Sequence, residues 1–409
     1  MKLPESSTER AILILVWTTA LVALWGSAHI NAVYLEKVPH VQDSVNTLFQ
    51  ARVLAMGKFF IEAPDDTAKS FASEYIIVRN GRRYCHVPFV VPTLFMLGFK
   101  LGITWLVNPI IAMLSVLLVY KIGKDNFSPM TGLFASIFLV SSPFFLVMSA
   151  SFMSHPTGLF LTAVCVLLFL KHLDKPSYRN TCFLGCSIGL LFNCRPLNAV
   201  SMGIIVLVFY FRNRVKFNKL LIRHLVILVI CASLGVGIYF IYSAQLTGKS
   251  MQFLTDKHVK ESTGPTNVRI INRFVNSLAS MGDGKSNHTP AKGLGCVKAL
   301  LELFHTFSLN WPGWFNLSFF LIPLASFKLT EKDRFLYGAF LIIPIFYMLY
   351  WRSAIMYGPR YIYEIMPMTV LLSARGIDYC LEAADALHEN SFLKLYNTRL
   401  AAKAVSLIA

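Results

Sequence analysis

Residues 11–30 read AILILVWTTALVALWGSAHI and contain no Asp, Glu, Lys or Arg. An α-helix of that length is about 30 Å long, which matches the hydrocarbon core of a bilayer. Charged residues are only 14% of the 409-residue chain, and its mean hydropathy is +0.57. Nine further apolar runs follow, at 105–120, 130–150, 156–171, 180–194, 198–211, 224–245, 306–327, 335–351 and 361–377. The pattern predicts an all-α polytopic membrane protein with about ten transmembrane helices.

The basic residues between these runs predict the orientation of the helices. With the N-terminus in the cytoplasm, the inside segments hold 19 Lys and Arg residues, against Arg195, Arg352 and Arg360 in the short outside loops. Cytoplasmic loops of membrane proteins carry such an excess of positive charge. This interpretation places both termini in the cytoplasm, with a transmembrane domain over residues 1–377 and a short tail over 378–409.

The net charge of +17 could also indicate nucleic-acid binding, but that function needs a basic patch on a folded soluble face. Here the positive charge lies in short segments between apolar runs, next to anionic lipid headgroups. Nucleic acid is therefore excluded as a partner, and membrane lipids are expected. The first run is as long as a full span and no small-residue cleavage site follows it, so we expect a retained anchor.

Two long loops, 31–104 and 246–305, lie on the predicted outer side. In the first, apolar residues recur near helical spacing over 44–60, which indicates a helix in the outer interface. Further on, Asn80-Gly81 stands between two β-prone runs and predicts a hairpin. The second loop has the Gly-, Ser-, Lys- and Asn-rich composition of a mobile flap that could order over a bound substrate.

Residues 87–103 form an apolar stretch that is difficult to interpret as a span. A full crossing there would place Lys121 and Lys124 outside and would reverse the side of every later helix. Pro88 and Pro92 also disfavour a continuous transmembrane helix. The sequence therefore predicts a re-entrant or interfacial helix on the outer face.

The eight cysteines are scattered without CxxC spacing. Cys85 and Cys296 fall in the two long loops and could form a disulfide if that side of the membrane is oxidising, which the spacing leaves open. Four others lie inside apolar runs, where a cysteine usually serves as a small packing residue. These four are Cys165, Cys182, Cys186 and Cys231.

Asp43 lies close to the predicted bilayer surface, after His40 and before the interfacial helix. A carboxylate with a low dielectric on one side interacts strongly with cations and with hydroxyl or amine protons, as a general base does. Aspartate before a helical run is also a common N-cap. The sequence leaves both roles open, and the two can coexist.

Two arginines stand at outer helix ends: Arg195 in FNCRPLNAV, and Arg360 in MYGPRYIYEIMP with Tyr361 and Glu364 alongside. An arginine at such a position is costly unless it is paired or its side chain snorkels to the headgroups. A guanidinium also binds phosphate bidentately and keeps its charge. Snorkelling and a clamp for a lipid phosphate are therefore the two interpretations.

Three histidines, His40, His86 and His155, are predicted on the same face of the membrane. They could contact a substrate or hold a divalent metal, but their spacing matches no metal-ligand pattern, so no metal ligands are assigned. A lone histidine such as His155, in SFMSHP, is more often structural.

Four segments carry a resemblance to a known family: PHVQDSVNTLFQARVLAMGKFF (39–60), YCHVPFVVPTLFMLGFKLG (84–102), FNCRPLNAV (192–200) and GPRYIYEIMPMTVLLSARGI (358–377). In this order they resemble the integral-membrane glycosyltransferases of the C superfamily. That group includes protein O-mannosyltransferases and the aminoarabinose transferase of lipid A. The layout of the segments carries the resemblance, because no single one is diagnostic.

The resemblance implies a helix bundle with two interfacial helices in its first outer loop. It also implies transfer of a sugar from a polyprenyl-phosphate carrier to an acceptor on the outer face, usually with inversion. Asp43 would correspond to the general base, and Arg195 and Arg360 to the phosphate-binding arginines. The other expected substrate-binding residues are His40, His86, His155, Tyr361 and Glu364.

The chain departs from the family pattern at two places. Many relatives carry Asp-Glu at the first site, where Ser44 follows Asp43, and several carry a second acid where Ser154 and His155 stand. The resemblance therefore predicts neither whether this protein depends on a divalent metal nor which class of acceptor it uses. The tail after Ile377 is shorter than the soluble domain of some relatives, which favours a bacterial cell membrane.

A membrane transporter or lipid flippase without chemistry is the alternative function, and a non-catalytic scaffold is a third. A transporter of this kind would have internal repeats with matching broken helices, and the sequence has none. The polar residues gather on one side of the membrane, which suits a site open to that side. The enzyme is therefore the preferred prediction, and loss of lipid-linked sugar turnover on substitution of Asp43 separates the classes.

Overall fold

The computed structural model describes residues 7–63, 76–79, 81–85, 87–212, 219–248, 289–308, 318–326, 329–349 and 356–388. Within these residues the chain forms fourteen α-helices and one small sheet. The helices are α1 (Ser7–His29), α2 (Gln42–Ala55), α3 (Val90–Lys100), α4 (Val107–Asn126), α5 (Pro129–Ser141), α6 (Pro143–Ala150), α7 (His155–Asp174), α8 (Tyr178–Phe192), α9 (Pro196–Arg212), α10 (Lys219–Thr247), α11 (Pro290–Phe307), α12 (Ser318–Ala325), α13 (Glu331–Tyr347) and α14 (Met366–His388). The predicted all-α polytopic class is confirmed.

Four helical segments of the described chain are each long and apolar enough to cross a membrane: Ser7–Tyr34, Thr104–Asn126, His155–Asp174 and Lys219–Thr247. Helices α5 and α6 would make a fifth if they form one broken span, bent by 65°. The break occurs because Pro143 cannot donate a hydrogen bond to α5, while Ser142 caps a new helix by accepting from the Phe145 N–H. The count of ten spans stays a prediction.

Charged residues collect at the two ends of the bundle. At one end, Lys171 Nζ lies 3.7 Å from Asp125 Oδ2, and Lys332 Nζ lies 2.7 Å from Asp174 Oδ2. Helix α7 runs from His155 to Asp174 and so carries the chain about 30 Å from the other end. Successive antiparallel helices produce this alternation between ends.

The first long loop contains the two helices expected there. Helix α2 packs against α3, which has eleven residues and a length of about 16 Å, too short for a crossing. Gln50 of α2 accepts from the Cys85 N–H at 2.9 Å and donates to the Phe59 carbonyl at 2.8 Å. That side chain ties α2 to the neighbouring sheet. The placement of both helices in the membrane interface stays a prediction.

The predicted hairpin is confirmed as an antiparallel pair of β2 (Ile76–Arg79) and β3 (Arg82–Cys85), with β1 (Ile61–Glu62) on the other side of β3. Gly81 in the turn has φ +71°, which favours glycine. Asn80 lies outside the described residues. Of the second loop, residues 249–288 also lie outside them, and the part that follows forms most of α11.

Cys85 and Cys296 are both free thiols in the structure. Cys85 is the last residue of β3 and is buried, and this burial raises the pKa of its thiol to about 12. A thiol held in its protonated form is a poor nucleophile and oxidises slowly.

Candidate active site

A short 3₁₀ turn, Arg360–Ile365, carries three of the predicted site residues: Arg360, Tyr361 and Glu364. Arg360 and Glu364 are both buried, although both side chains are ionisable. Arg360 pairs with Asp43 of α2, and Glu364 pairs with Arg195 between α8 and α9. One turn of the chain therefore joins two ion pairs made with distant parts of the sequence.

Asp43 does not cap α2. The helix has Val41 at its N-cap position and begins at Gln42, so Asp43 is already in the first turn. Its Oδ2 accepts a hydrogen bond from Arg360 Nη1 at 2.8 Å, and 44% of the side chain is exposed. The capping role was wrong because the helix begins two residues earlier than the pattern suggested, at Gln42 and not at Ser44. The carboxylate is instead an accessible group beside a buried cation.

Arg195 is paired, which excludes snorkelling in this structure. Its Nε lies 2.8 Å from Glu364 Oε1, and its Nη2 donates to the Tyr347 hydroxyl at 2.6 Å. That hydroxyl lies 3.0 Å from Asn198 Oδ1, to which it donates. The Glu364 side chain has no exposed surface, and a buried carboxylate of this kind needs such a partner.

His155 completes the cluster on its other side. Its Nε2 lies 3.3 Å from Arg195 Nη1, and its Nδ1 lies 3.2 Å from Glu364 Oε1. A guanidinium N–H can only donate, so Nε2 accepts and the proton of a neutral imidazole is on Nδ1, from which it is donated to Glu364. The cluster thus orients His155 in one tautomer between a cation and an anion.

Backbone contacts hold this cluster in place. Asn108 of α4 donates to the carbonyls of Ser151 at 2.6 Å and Met153 at 2.9 Å, which fixes the turn that leads into His155. In the first turn of α7, a Cβ on Gly158 would lie 2.8 Å from both Arg195 Cδ and Glu364 Oε1. The ion pair can therefore approach α7 only because residue 158 has no side chain.

We expect Gly158→Ala to lower the free energy of unfolding by about 1–3 kcal/mol, because the added methyl overpacks the buried ion pair. The measurement is thermal unfolding of the protein in nanodiscs. Gly203→Ala is the matched control, since a Cβ there meets nothing within 4 Å. That helical substitution should be neutral or stabilise by about 0.5–1 kcal/mol. Equal stability of the two variants would contradict the packing argument.

The remaining predicted site residues are Tyr361, His40 and His86. Tyr361 stacks on Tyr347 at 5.3 Å, and the Arg360 guanidinium lies 5.2 Å from the Tyr361 ring centre. His40 is exposed and its Nε2 lies 3.1 Å from the Leu35 carbonyl, away from the cluster. His86 lies outside the described residues.

A divalent metal does not fit the cluster in this arrangement. Of the potential ligand residues described here, His155 and Glu364 meet, and both of them face Arg195. Metal sites usually draw three or more ligands from the protein, and a cation would be repelled by the guanidinium. Elsewhere in the described chain, three potential metal ligands do come within ligating distance of one another. They are Cys182, Cys186 and Cys231.

Comparison with known proteins gives the site a context. A family model described as dolichyl-phosphate-mannose-protein mannosyltransferase matches residues 86–239. The fold is similar to that of ArnT from Cupriavidus metallidurans bound to undecaprenyl phosphate, with a TM-score of 0.59 and 13% identity over 98% of this chain and 71% of that chain. The apo structure of ArnT from the same organism matches with a TM-score of 0.59 and 14% identity, over 93% of this chain and 64% of that chain.

The chain has the same fold as ArnT. The resemblance inferred from the four sequence segments is thereby confirmed for the fold. The matching family model covers His155, Gly158 and Arg195, whereas Asp43 and Arg360 lie outside the matched residues. No curated protein matches the chain by sequence.

Sequence reasoning missed Tyr347, Gly158 and Asn108 in this candidate site. Tyr347 and Asn108 lie within apolar runs or at their edges, where nothing separates them from core residues. Gly158 is one of 23 glycines, and nothing in the sequence distinguishes it from the others. A polar side chain inside an apolar run was the one available signal, and it applied to Asn108 and Tyr347 alike.

Proposed function

We propose that this protein is a glycosyltransferase that moves a sugar from a polyprenyl-phosphate carrier to an acceptor, with inversion at the sugar. The fold supports this proposal, as does the family model, whose description names a mannosyltransferase that uses a lipid phosphate. The similar ArnT chain was crystallised with undecaprenyl phosphate. The acceptor is a lipid, a glycan or a protein.

The observation that carries the proposal is which partners Arg195 and Arg360 have in the structure. Both guanidiniums lie at the same end of the bundle and already face a carboxylate, Asp43 or Glu364. Arg360 also has its Nε–H buried with no hydrogen-bond partner among the described residues. A buried donor without an acceptor is costly, and a phosphate oxygen would satisfy it. A lipid phosphate is thus the anion that suits this end of the bundle.

In the proposed reaction the acceptor hydroxyl or amine attacks the anomeric carbon of the sugar. Asp43 takes the proton of the attacking group, and the bond between the anomeric carbon and the phosphate oxygen breaks. Its electron pair leaves with the carrier phosphate, whose added charge Arg360 and Arg195 stabilise. A single displacement of this kind inverts the configuration.

Two further residues would act indirectly. Glu364 is fully buried and faces Arg195, so its proposed role is to position that guanidinium. His155 would support the same pair from the other side. The reaction would take place at the end of the bundle that carries Asp43, which the distribution of Lys and Arg predicts to be on the outer side of the membrane.

The proposal is tested by binding and turnover in nanodiscs. Unmodified protein should bind undecaprenyl phosphate, and it should consume one of a panel of polyprenyl-phosphate sugars when envelope extract supplies acceptors. Arg360→Ala should weaken carrier binding by about 10–100-fold, because a charged hydrogen-bond donor is lost. Arg52→Ala, which removes an exposed arginine of α2, is the matched control and should bind normally. Carrier binding without turnover of any donor would contradict the transferase, and equal binding by both variants would contradict the phosphate site.

A further inference from the structure

Three cysteines that the sequence suggested as packing residues come together in the structure. Cys182 and Cys186 lie one helical turn apart on α8, and Cys231 faces them from α10. Their three Sγ atoms all lie within 4.8 Å of one another, and those of Cys182 and Cys231 are 3.4 Å apart. Cys186 is exposed at the surface of the bundle, where a side chain fills no core space. Packing alone therefore does not explain this group.

The two helices that carry the thiols are held in close contact. A Cβ on Gly235 of α10 would lie 2.4 Å from Gly189 Cα of α8, so only glycine permits this separation. Closer to the thiols, a Cβ on Gly185 would lie 2.7 Å from the Cys231 Cβ. Because the backbones meet at these positions, the distance between the sulfur atoms depends on packed helices and not on a flexible loop. The group is therefore built into the fold.

The spacing matches the geometry of a metal held by three sulfurs. Metal–sulfur bonds of about 2.3 Å arranged in a triangle place the sulfur atoms about 4 Å from one another. The Cys182–Cys231 sulfur distance of 3.4 Å is slightly shorter than this value, and the 4.8 Å limit on all three separations is slightly longer. Side-chain rotations that move the sulfur atoms by less than about 1 Å would close the site. No movement of α8 against α10 is needed.

We propose that Cys182, Cys186 and Cys231 bind one soft, thiophilic metal ion, either Cu(I) or Zn(II). Sulfur ligands select these ions, and the group contains neither imidazole nor carboxylate, which Mg²⁺, Ca²⁺ and Mn²⁺ prefer. Each ligating thiol would release its proton to water, so binding should weaken as the pH falls. The exposed Cys186 would provide the entry route from the bundle surface. This site is separate from the transferase cluster and does not depend on the proposed function.

The test uses full-length protein in nanodiscs, kept reduced with a phosphine and dialysed against Zn(II) or, separately, against Cu(I). Bound metal is counted by mass spectrometry, and Cu(I) is also followed by its thiolate charge-transfer absorption. We expect about one ion per chain for one of the two metals, falling at least about tenfold in Cys186→Ser. Cys186 is exposed, so this substitution leaves the core packing intact.

Cys296→Ser is the matched control, because it removes a half-buried thiol outside the group and should retain the metal. Cys231→Ala is the second variant and should lose the metal as Cys186→Ser does. The proposal is overturned if metal uptake is the same in Cys186→Ser and Cys296→Ser, or if no metal is taken up. It is also overturned if peptide mapping of the protein as purified, before the phosphine is added, finds Cys182 and Cys231 joined in a disulfide.

Discussion

Replacing Asp43 with asparagine is expected to reduce sugar transfer by about 10²–10⁴-fold, the usual effect of removing a general base. Binding of the carrier phosphate should be retained or become tighter, because Arg360 would no longer be shared with a carboxylate. The variant should fold, since 44% of the Asp43 side chain is exposed and the asparagine oxygen can still accept from Arg360. The measurement is turnover of lipid-linked sugar together with the affinity for undecaprenyl phosphate.

Glu62→Gln is the control for Asp43→Asn. Glu62 is an exposed carboxylate of the same loop, and its replacement changes the charge equally but lies outside the site. Transfer by Glu62→Gln should remain near the unmodified level. If Asp43→Asn also keeps full activity, another group accepts the proton and the assignment of Asp43 fails.

Replacing Glu364 with glutamine should have the largest effect on stability. The change leaves the Arg195 charge buried without its carboxylate, and breaking a buried pair in this way costs about 3–5 kcal/mol. His155 would have a neutral amide oxygen in place of a carboxylate as the acceptor for its Nδ1–H. The measurement is unfolding of the protein in nanodiscs by heat or denaturant. Carrier binding should fall as well, because Arg195 is no longer held in position.

A double variant distinguishes the role of the charge from the role of the shape. Arg195→Met combined with Glu364→Gln removes both charges and should recover much of the lost stability. It should not recover transfer, because the phosphate-binding guanidinium is absent. The control pair is Lys298 and Glu302, both exposed, where Glu302→Gln should change stability by less than about 0.5 kcal/mol. Unchanged stability of Glu364→Gln would show that Arg195 does not need its partner.

Much of the fold could be predicted because it depends on local pattern. Apolar runs, the hairpin of β2 and β3, and the short helices of the first loop are features of neighbouring residues. Each appeared near its predicted place. The candidates Asp43, Arg195 and Arg360 were also visible, because an ionisable residue next to an apolar run is costly and therefore conspicuous. The broken helix at Ser142 was not predicted, since 130–150 contains no charged residue and was interpreted as one apolar run.

The sequence by itself determined that this chain is a helical membrane protein with polar residues collected at helix ends. That information is local, because hydrophobicity and charge are properties of each segment. Only the tertiary structure decided which residues meet: Asp43 and Arg360 are 317 positions apart, and Arg195 reaches Glu364 beside Gly158. The sequence contains no record of such pairings, because a partner depends on how distant helices pack. The same packing brings three unremarkable cysteines of α8 and α10 within ligating distance of one metal ion.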